Sequence, residues 1–188
     1  MRTLLLMALI LGGAASLEAQ ERNVHKGFWV GFGLGGGTNL STGFDGESMG
    51  GFGGYLKLGG TPSQKVLLGF ESLAWGREDG NTDKTRGNAH FVAQFYPSAT
   101  SGFFLKGGVG VAFADQSTSS GNTTVSTDKG GFGTGAGLGY ELQIGRNIYL
   151  VGQADYMLQV FEEENVAGLG DIPGTNSIML FTLGLTWH

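Results

Sequence analysis

The sequence has 188 residues, with 37 Gly, 3 Pro, no Cys, 40% hydrophobic residues, 14% charged residues and a formal net charge of −5. Ordinary proteins hold roughly 7% Gly and about 25% charged residues, so this chain is glycine-rich and charge-poor, yet it has too little Pro for collagen and too much hydrophobicity for disorder. The lack of Cys excludes a disulfide scaffold and a Cys-ligated zinc or iron–sulfur centre, and 11 Lys+Arg spread thinly form no basic stripe for nucleic acid.

Residues 1–19 read MRTLLLMALILGGAASLEA, with a positive start at Arg2, an apolar run from Leu4 to Leu11 and small residues from Gly12 to Ser16. That order is the anatomy of a secretory signal peptide, and the apolar run is far shorter than the ~20 residues a transmembrane helix requires. Cleavage is expected after Ala19, with Ala15 and Ser16 as alternatives, leaving 20–188 as one mature domain. No later segment is long and apolar enough for a helix in a membrane, so any membrane crossing is by strands.

From Lys26 onward apolar residues recur with period two, which places successive side chains on opposite faces of a sheet. The first strand, 27–35, sets Phe28, Val30, Phe32 and Leu34 against Trp29, Gly31, Gly33 and Gly35. Strand 50–58 sets Phe52, Leu56 and Leu58 against Gly53, Tyr55 and Lys57, and strand 65–75 sets Val66, Leu68, Phe70 and Ala74 against Glu71 and Trp75. Strand 87–96 sets Ala89, Phe91, Ala93 and Phe95 against Asn88, His90, Gln94 and Tyr96; strand 102–114 sets Phe103, Leu105, Val109, Val111 and Phe113 against Lys106, Gly108 and Gly110. In 130–144, Phe132, Ala136, Leu138, Tyr140 and Leu142 face away from a glycine row that ends in Glu141 and Gln143. In 147–161, Ile148, Leu150, Ala154, Tyr156, Leu158 and Val160 oppose Gln153, Asp155 and Gln159, and in 177–187, Met179, Phe181, Leu183, Leu185 and Trp187 oppose Thr182, Gly184 and Thr186.

The links between these strands alternate. Polar stretches 36–49, 76–86, 115–129 and 162–176 read as long loops, and 59–64, 97–101 and 145–146 as short turns. An even strand count with one decorated rim predicts an all-β fold, an eight-stranded antiparallel up-and-down transmembrane β-barrel. A soluble barrel would turn the apolar face inward and show charge outside. Here the other face is mostly glycine with few charges, which suits a crowded lumen, while the bulky apolar face suits lipid. Phe28, Phe95, Phe103 and Trp187 are then expected to form an interfacial aromatic girdle on the short-turn side, with Phe52, Phe113 and Phe132 near the other rim.

Five charges fall on the inward face: Lys57, Glu71, Lys106, Glu141 and Asp155, joined by His90, Gln143 and Gln153. Counting through the hairpins puts Glu71, Lys106 and Asp155 at one height, with Val92 and Gly137 between them. Because buried charges persist only when paired or hydrogen-bonded, these residues are expected to form an ion-pair network centred on Lys106 that plugs the lumen; a continuous aqueous channel is the alternative. No catalytic, cofactor-binding or metal-ligating residue is assigned. The mature chain holds only His25, His90 and His188, none in a His-x-Ser pattern and none on a long loop, so acyl-transfer chemistry is not expected. Glu162, Glu163, Glu164 and Asp171 read as a solvated loop face, with Ca²⁺ or lipopolysaccharide bridged by divalent ions as the alternative. The glycines form no phosphate loop, since Gly33-Leu34-Gly35 precedes neither a helix pattern nor Gly-Lys-Ser/Thr.

The signal peptide, the eight alternating strands, the four long links against three short ones and the closing segment MLFTLGLTWH, Met179 to His188, resemble the small outer-membrane β-barrel family that includes the transmembrane domain of outer membrane protein A and outer membrane protein X. The resemblance spans residues 26–188 and is architectural, with no catalytic signature. One departure is that His188 follows Trp187, where the family commonly ends on the aromatic itself. The resemblance implies a Gram-negative outer membrane, with termini and short turns periplasmic and long loops outside. It also implies contact with membrane lipid and lipopolysaccharide, and insertion by the barrel-assembly machinery through the final strand. Two functions follow as expectations: a structural or surface-interaction barrel whose loops meet an extracellular ligand, or a small-solute pore.

Overall fold

A computed structural model describes residues 25–40, 49–120, 123–161 and 174–188. It contains β1 (Gly27–Asn39), β2 (Met49–Ser63), β3 (Val66–Asp79), β4 (Thr82–Phe95), β5 (Phe103–Ser120), β6 (Thr123–Gln143), β7 (Ile148–Phe161) and β8 (Thr175–Trp187). Each strand pairs antiparallel with the next, and β1 also pairs with β8 from Val30↔Trp187 to Asn39↔Ile178, closing the sheet. Closure satisfies every strand edge, which hydrocarbon requires because it offers no water to unpaired backbone groups. The signal segment and the acidic stretch Glu162, Glu163, Glu164 and Asp171 lie outside the described residues.

The two faces sort as their parity dictates. Phe28, Phe32, Leu34, Phe52, Leu56, Phe70, Phe91, Val109, Phe132, Leu138, Phe181 and Leu183 are all exposed on the outer wall. A continuous apolar surface around the barrel far exceeds what a monomer in water shows, so the outer wall is built for lipid. The inner face holds two apolar layers. Trp29, Leu67, Val92, Tyr96, Phe104, Tyr149 and Val151 fill the short-turn end, and Tyr55, Leu73, Trp75, Met157, Ile178 and Leu180 fill the other. Large inward side chains need small neighbours. A Cβ on Gly137 would collide with Asp155 Oδ1, and one on Gly139 with the Phe104 ring. The inward glycine rows therefore make room for side chains arriving from adjacent strands.

The expected link lengths need correction. Strands run 13 to 21 residues, longer than the 9–11 that cross a bilayer. Most of 76–86 and 115–129 is strand, not loop. Asp79 and Thr82 pair directly across Gly80-Asn81, and Gly80, at φ 60°, occupies the first central position of a two-residue hairpin turn of the type II′ pattern. Hydrophobic alternation marks a strand only where one face meets lipid. Beyond Ala74 and Phe113 the outward positions turn polar, at Glu78, Asp83, Asp115 and Ser117, and the sheet continues into water. At the opposite end, Gln64-Lys65 joins β2 to β3. The β2–β3 register shifts between Gly60 and Ser63, across Pro62, which has no N–H to give the ladder.

Candidate functional site

Between the two apolar layers lies a polar layer drawn from four strands. Lys106 on β5 meets the Glu71 carboxylate on β3 through Oε1 and the Asp155 carboxylate on β7 through Oδ1, the latter at 2.8 Å. Glu71 Oε2 stands 3.2 Å from His90 Nε2, and Gln153 Nε2 donates to Asp155 Oδ2 at 2.7 Å. All five side chains are buried. The register sets Gly137 directly between Lys106 and Asp155. On the other side it sets Glu71 across from His90 and Lys106 across from Gln94. Val92 thus lies one inward position from each of those β4 partners, and the length of the lysine covers the offset.

Lys57 and Glu141 sit apart from that triad. Among the described residues, no carboxylate lies within ion-pair distance of Lys57 Nζ. The ammonium instead donates to the amide oxygens of Gln94 at 3.2 Å and Gln153 at 3.3 Å, and it lies 5.1 to 5.9 Å from the ring centres of Phe104, Tyr55 and Trp29. Cations over aromatic faces at about 6 Å or less are attracted by the ring quadrupole. Gln94 Nε2 also donates to Tyr96 Oη and, at 3.4 Å, to Glu141 Oε1. The two glutamines therefore join Lys57 to both groups of carboxylates. Gln143 takes no part: its amide donates to the carbonyls of Gly145 and Arg146 and caps the β6–β7 turn.

Glu141 has partners that spacing in the sequence does not reveal. Its Oε2 lies 3.2 Å from His25 Nε2 and 3.4 Å from His188 Nε2. His25 precedes β1, and Gly27, at φ 73°, turns the chain so that the imidazole folds back over the barrel end. There Gln64 clamps the His25 backbone, donating Nε2 to its carbonyl at 2.7 Å and accepting its N–H on Oε1 at 3.2 Å. Burial lowers the pKa of the His188 imidazole, against the opposing pull of Glu141. Inward parity, counted back from Trp29 and forward from Thr186, is the one sequence signal that would have placed His25 and His188 together.

Toward the opposite rim the lumen is closed by neutral amides. Gln159 Nε2 donates to Gly87 O and Asn88 Oδ1, both at 2.8 Å, and Asn176 Nδ2 donates to Gln159 Oε1 at 2.9 Å. The candidate girdle residues lie on the outer wall near the short turns. Phe28, Phe95 and Phe103 are exposed there, and the Trp187 ring packs 5.7 Å from that of Phe32.

The same architecture recurs in solved outer-membrane proteins. Neisserial surface protein A superposes with a TM-score of 0.58 at 16% identity, covering 88% of this chain and 99% of that one. Ail, the attachment invasion locus protein of Yersinia pestis, gives 0.58 at 15% identity over 87% and 99%, and OprG of Pseudomonas aeruginosa gives 0.51 at 13% over 89% and 100%. No curated protein matches the chain by sequence. The family model of the outer membrane protein β-barrel domain matches residues 6–188. With its closed ring of strands and lipid-facing wall, this chain belongs to the outer membrane protein β-barrel domain family and resides in the outer membrane of the cell.

Proposed function

We propose that this protein is a non-enzymatic structural and surface-interaction barrel whose lumen is plugged by its own side chains. One observation carries the reading: the lumen between Glu71, His90, Lys106, Gly135 and Asp155 is filled by side chains and has no room for a water molecule. Apolar layers lie above and below it. A solute would have to break buried ion pairs to pass, and removing a buried charge from its partner costs about 3–5 kcal/mol.

In this reading the short turns and termini face the periplasm and the raised strands face outward. The β3–β4 and β5–β6 hairpins pair with one another out to Thr82↔Thr118, making a rigid four-stranded rim. Among the described residues that rim bears Glu78, Asp79, Asp83, Asp115 and Asp128 against Arg77, Lys84 and Lys129. Ail, which shares the fold, was crystallised with the heparin analogue sucrose octasulfate. Here the excess of carboxylates favours a neutral or cationic ligand over a polyanion. Lipid and lipopolysaccharide surround the belt, and the closing strand β8 is the element offered to the barrel-assembly machinery.

Planar-bilayer recording of the refolded, heat-modifiable barrel tests the proposal. A plugged lumen gives no stable conductance. Reproducible, size-selective current steps would make the protein a small-solute pore instead.

A further inference from the structure

We infer that His25, Glu141 and His188 form a binding site for one divalent transition-metal ion of the zinc class at the short-turn end of the barrel. The three offer one ligand atom each, all within 4.8 Å of one another. The two nitrogens lie 3.2 and 3.4 Å from the same carboxylate oxygen. Two ligands on a tetrahedral zinc with bonds of about 2.0–2.1 Å stand about 3.3 Å apart.

Protonation supports the same conclusion. His25 Nδ1 lies 3.2 Å from the Gln64 backbone carbonyl, which can only accept, so Nδ1 carries the proton. Nε2, the ring's other nitrogen, is then the one that faces Glu141 Oε2, at 3.2 Å. A metal-bound imidazole with its other N–H given to a backbone carbonyl is the usual outer-shell arrangement. Glu141 is similarly divided: Oε1 accepts from Gln94, leaving Oε2 for the site. The His188 side chain is 1% exposed, yet neither ring nitrogen has a hydrogen-bond partner among the described residues: Nε2 is near Glu141 but not aligned for one.

Charge and surroundings point the same way. The inward set Lys57, Glu71, Lys106, Glu141 and Asp155 contains three carboxylates and two ammonium groups, and Glu71 and Asp155 already share Lys106. One negative charge of this set is left over, and among the described residues Glu141 has no ammonium group within ion-pair distance. Tyr96 packs 4.1 Å from the His25 ring and Tyr149 packs 4.9 Å from the His188 ring, making an aromatic wall. Two imidazoles suit zinc, copper or nickel, whereas calcium and magnesium want oxygen donors. A bound ion would pin the segment before β1 to β6 and to the residue after β8, locking the seam at which the barrel closes.

The test uses untagged, refolded full-length mature protein in detergent micelles, stripped with chelator and titrated with Zn²⁺ against a chromophoric competitor. One zinc per chain is expected, with Co²⁺ giving the intense visible bands of a four-coordinate site. His188→Ala should weaken zinc binding by about tenfold or more, and His90→Ala, in the mid-lumen layer, should leave it unchanged. Saturating zinc should raise the temperature at which the heat-modified gel band appears, and His188→Ala should abolish that rise. A folded barrel that takes up no stoichiometric zinc overturns the assignment. So does zinc binding that survives both His188→Ala and His25→Ala. Should Glu141→Gln fail to refold, these two terminal variants still decide the matter.

Discussion

The lumen holds two polar clusters that solve the burial of charge differently. Around Lys106, one ammonium lies between two carboxylates, and the remaining acceptors are taken by His90 and Gln153. Around Glu141, one carboxylate meets two imidazoles, which are positive only when protonated. The first cluster holds its own cation; the second depends on something supplied from outside, a proton or a metal ion. Burying a charge costs several kcal/mol unless it is paired; the cluster with its own cation sits at mid-barrel and the conditional one at the short-turn end. The contrast is between a permanent plug and a latch.

The largest effect should come from breaking the closed cluster. Lys106→Ala leaves Glu71 and Asp155 facing each other without a cation, and the loss should be about 3–5 kcal/mol of unfolding free energy. Urea titration in micelles reads it as a lower midpoint. Adding Glu71→Gln and Asp155→Asn to that variant should restore much of the loss, because the stranded charges are then gone. An unchanged midpoint for Lys106→Ala alone would mean that the mid-lumen layer is not a self-contained ion-pair set.

Gly137 offers the next test. Its added Cβ would collide with Asp155 and come within 2.9 Å of Lys106 Cε, whereas a Cβ on Gly107, on the outer wall, would meet nothing nearer than 3.8 Å. Gly137→Ala should cost about 1–3 kcal/mol, the range of overpacking, and Gly107→Ala almost nothing. Equal midpoints for the two would show that the lumen tolerates the crowding, and hence that the plug is loose.

Much of this was legible from alternation alone. The inward placement of Lys57, Glu71, Lys106, Glu141 and Asp155, and the outward placement of Phe28, Phe95, Phe103 and Trp187, follow from counting by two, because a strand has no other way to divide its side chains. What alternation could not supply was where strands end. The stretch Arg77-Glu78-Asp79 and its partner Thr82-Asp83-Lys84 are polar on both faces, so hydrophobicity loses the signal once the sheet leaves lipid. Nor could it rank partners within the lumen. Lys57 and Glu71 stand directly opposite in register, yet Lys57 donates to glutamines and Glu71 pairs with Lys106, since the reach of a side chain across a tilted sheet decides contacts that register only permits. His25 and His188 escaped for a third reason. They flank the first and last strands, and only closure of the ring brings residues so far apart in sequence to one carboxylate.

The smallest effect concerns the link between the clusters. Gln94 accepts from Lys57 and donates toward Glu141, while Gln153 carries Lys57 on to Asp155. Gln94→Leu keeps the side-chain volume close to native and removes one hydrogen bond from each charged neighbour, but each retains another: Lys57 keeps Gln153 and Glu141 keeps His25. The cost should be about 1–2 kcal/mol, the scale of leaving a buried partner short of one bond, and below that of Lys106→Ala. A double-mutant cycle between Gln94→Leu and Lys106→Ala sharpens the comparison. If the clusters are separate units joined by a relay, the coupling stays within about 0.5 kcal/mol. Coupling of several times that size would make the whole lumen a single network, with the short-turn end able to loosen the plug.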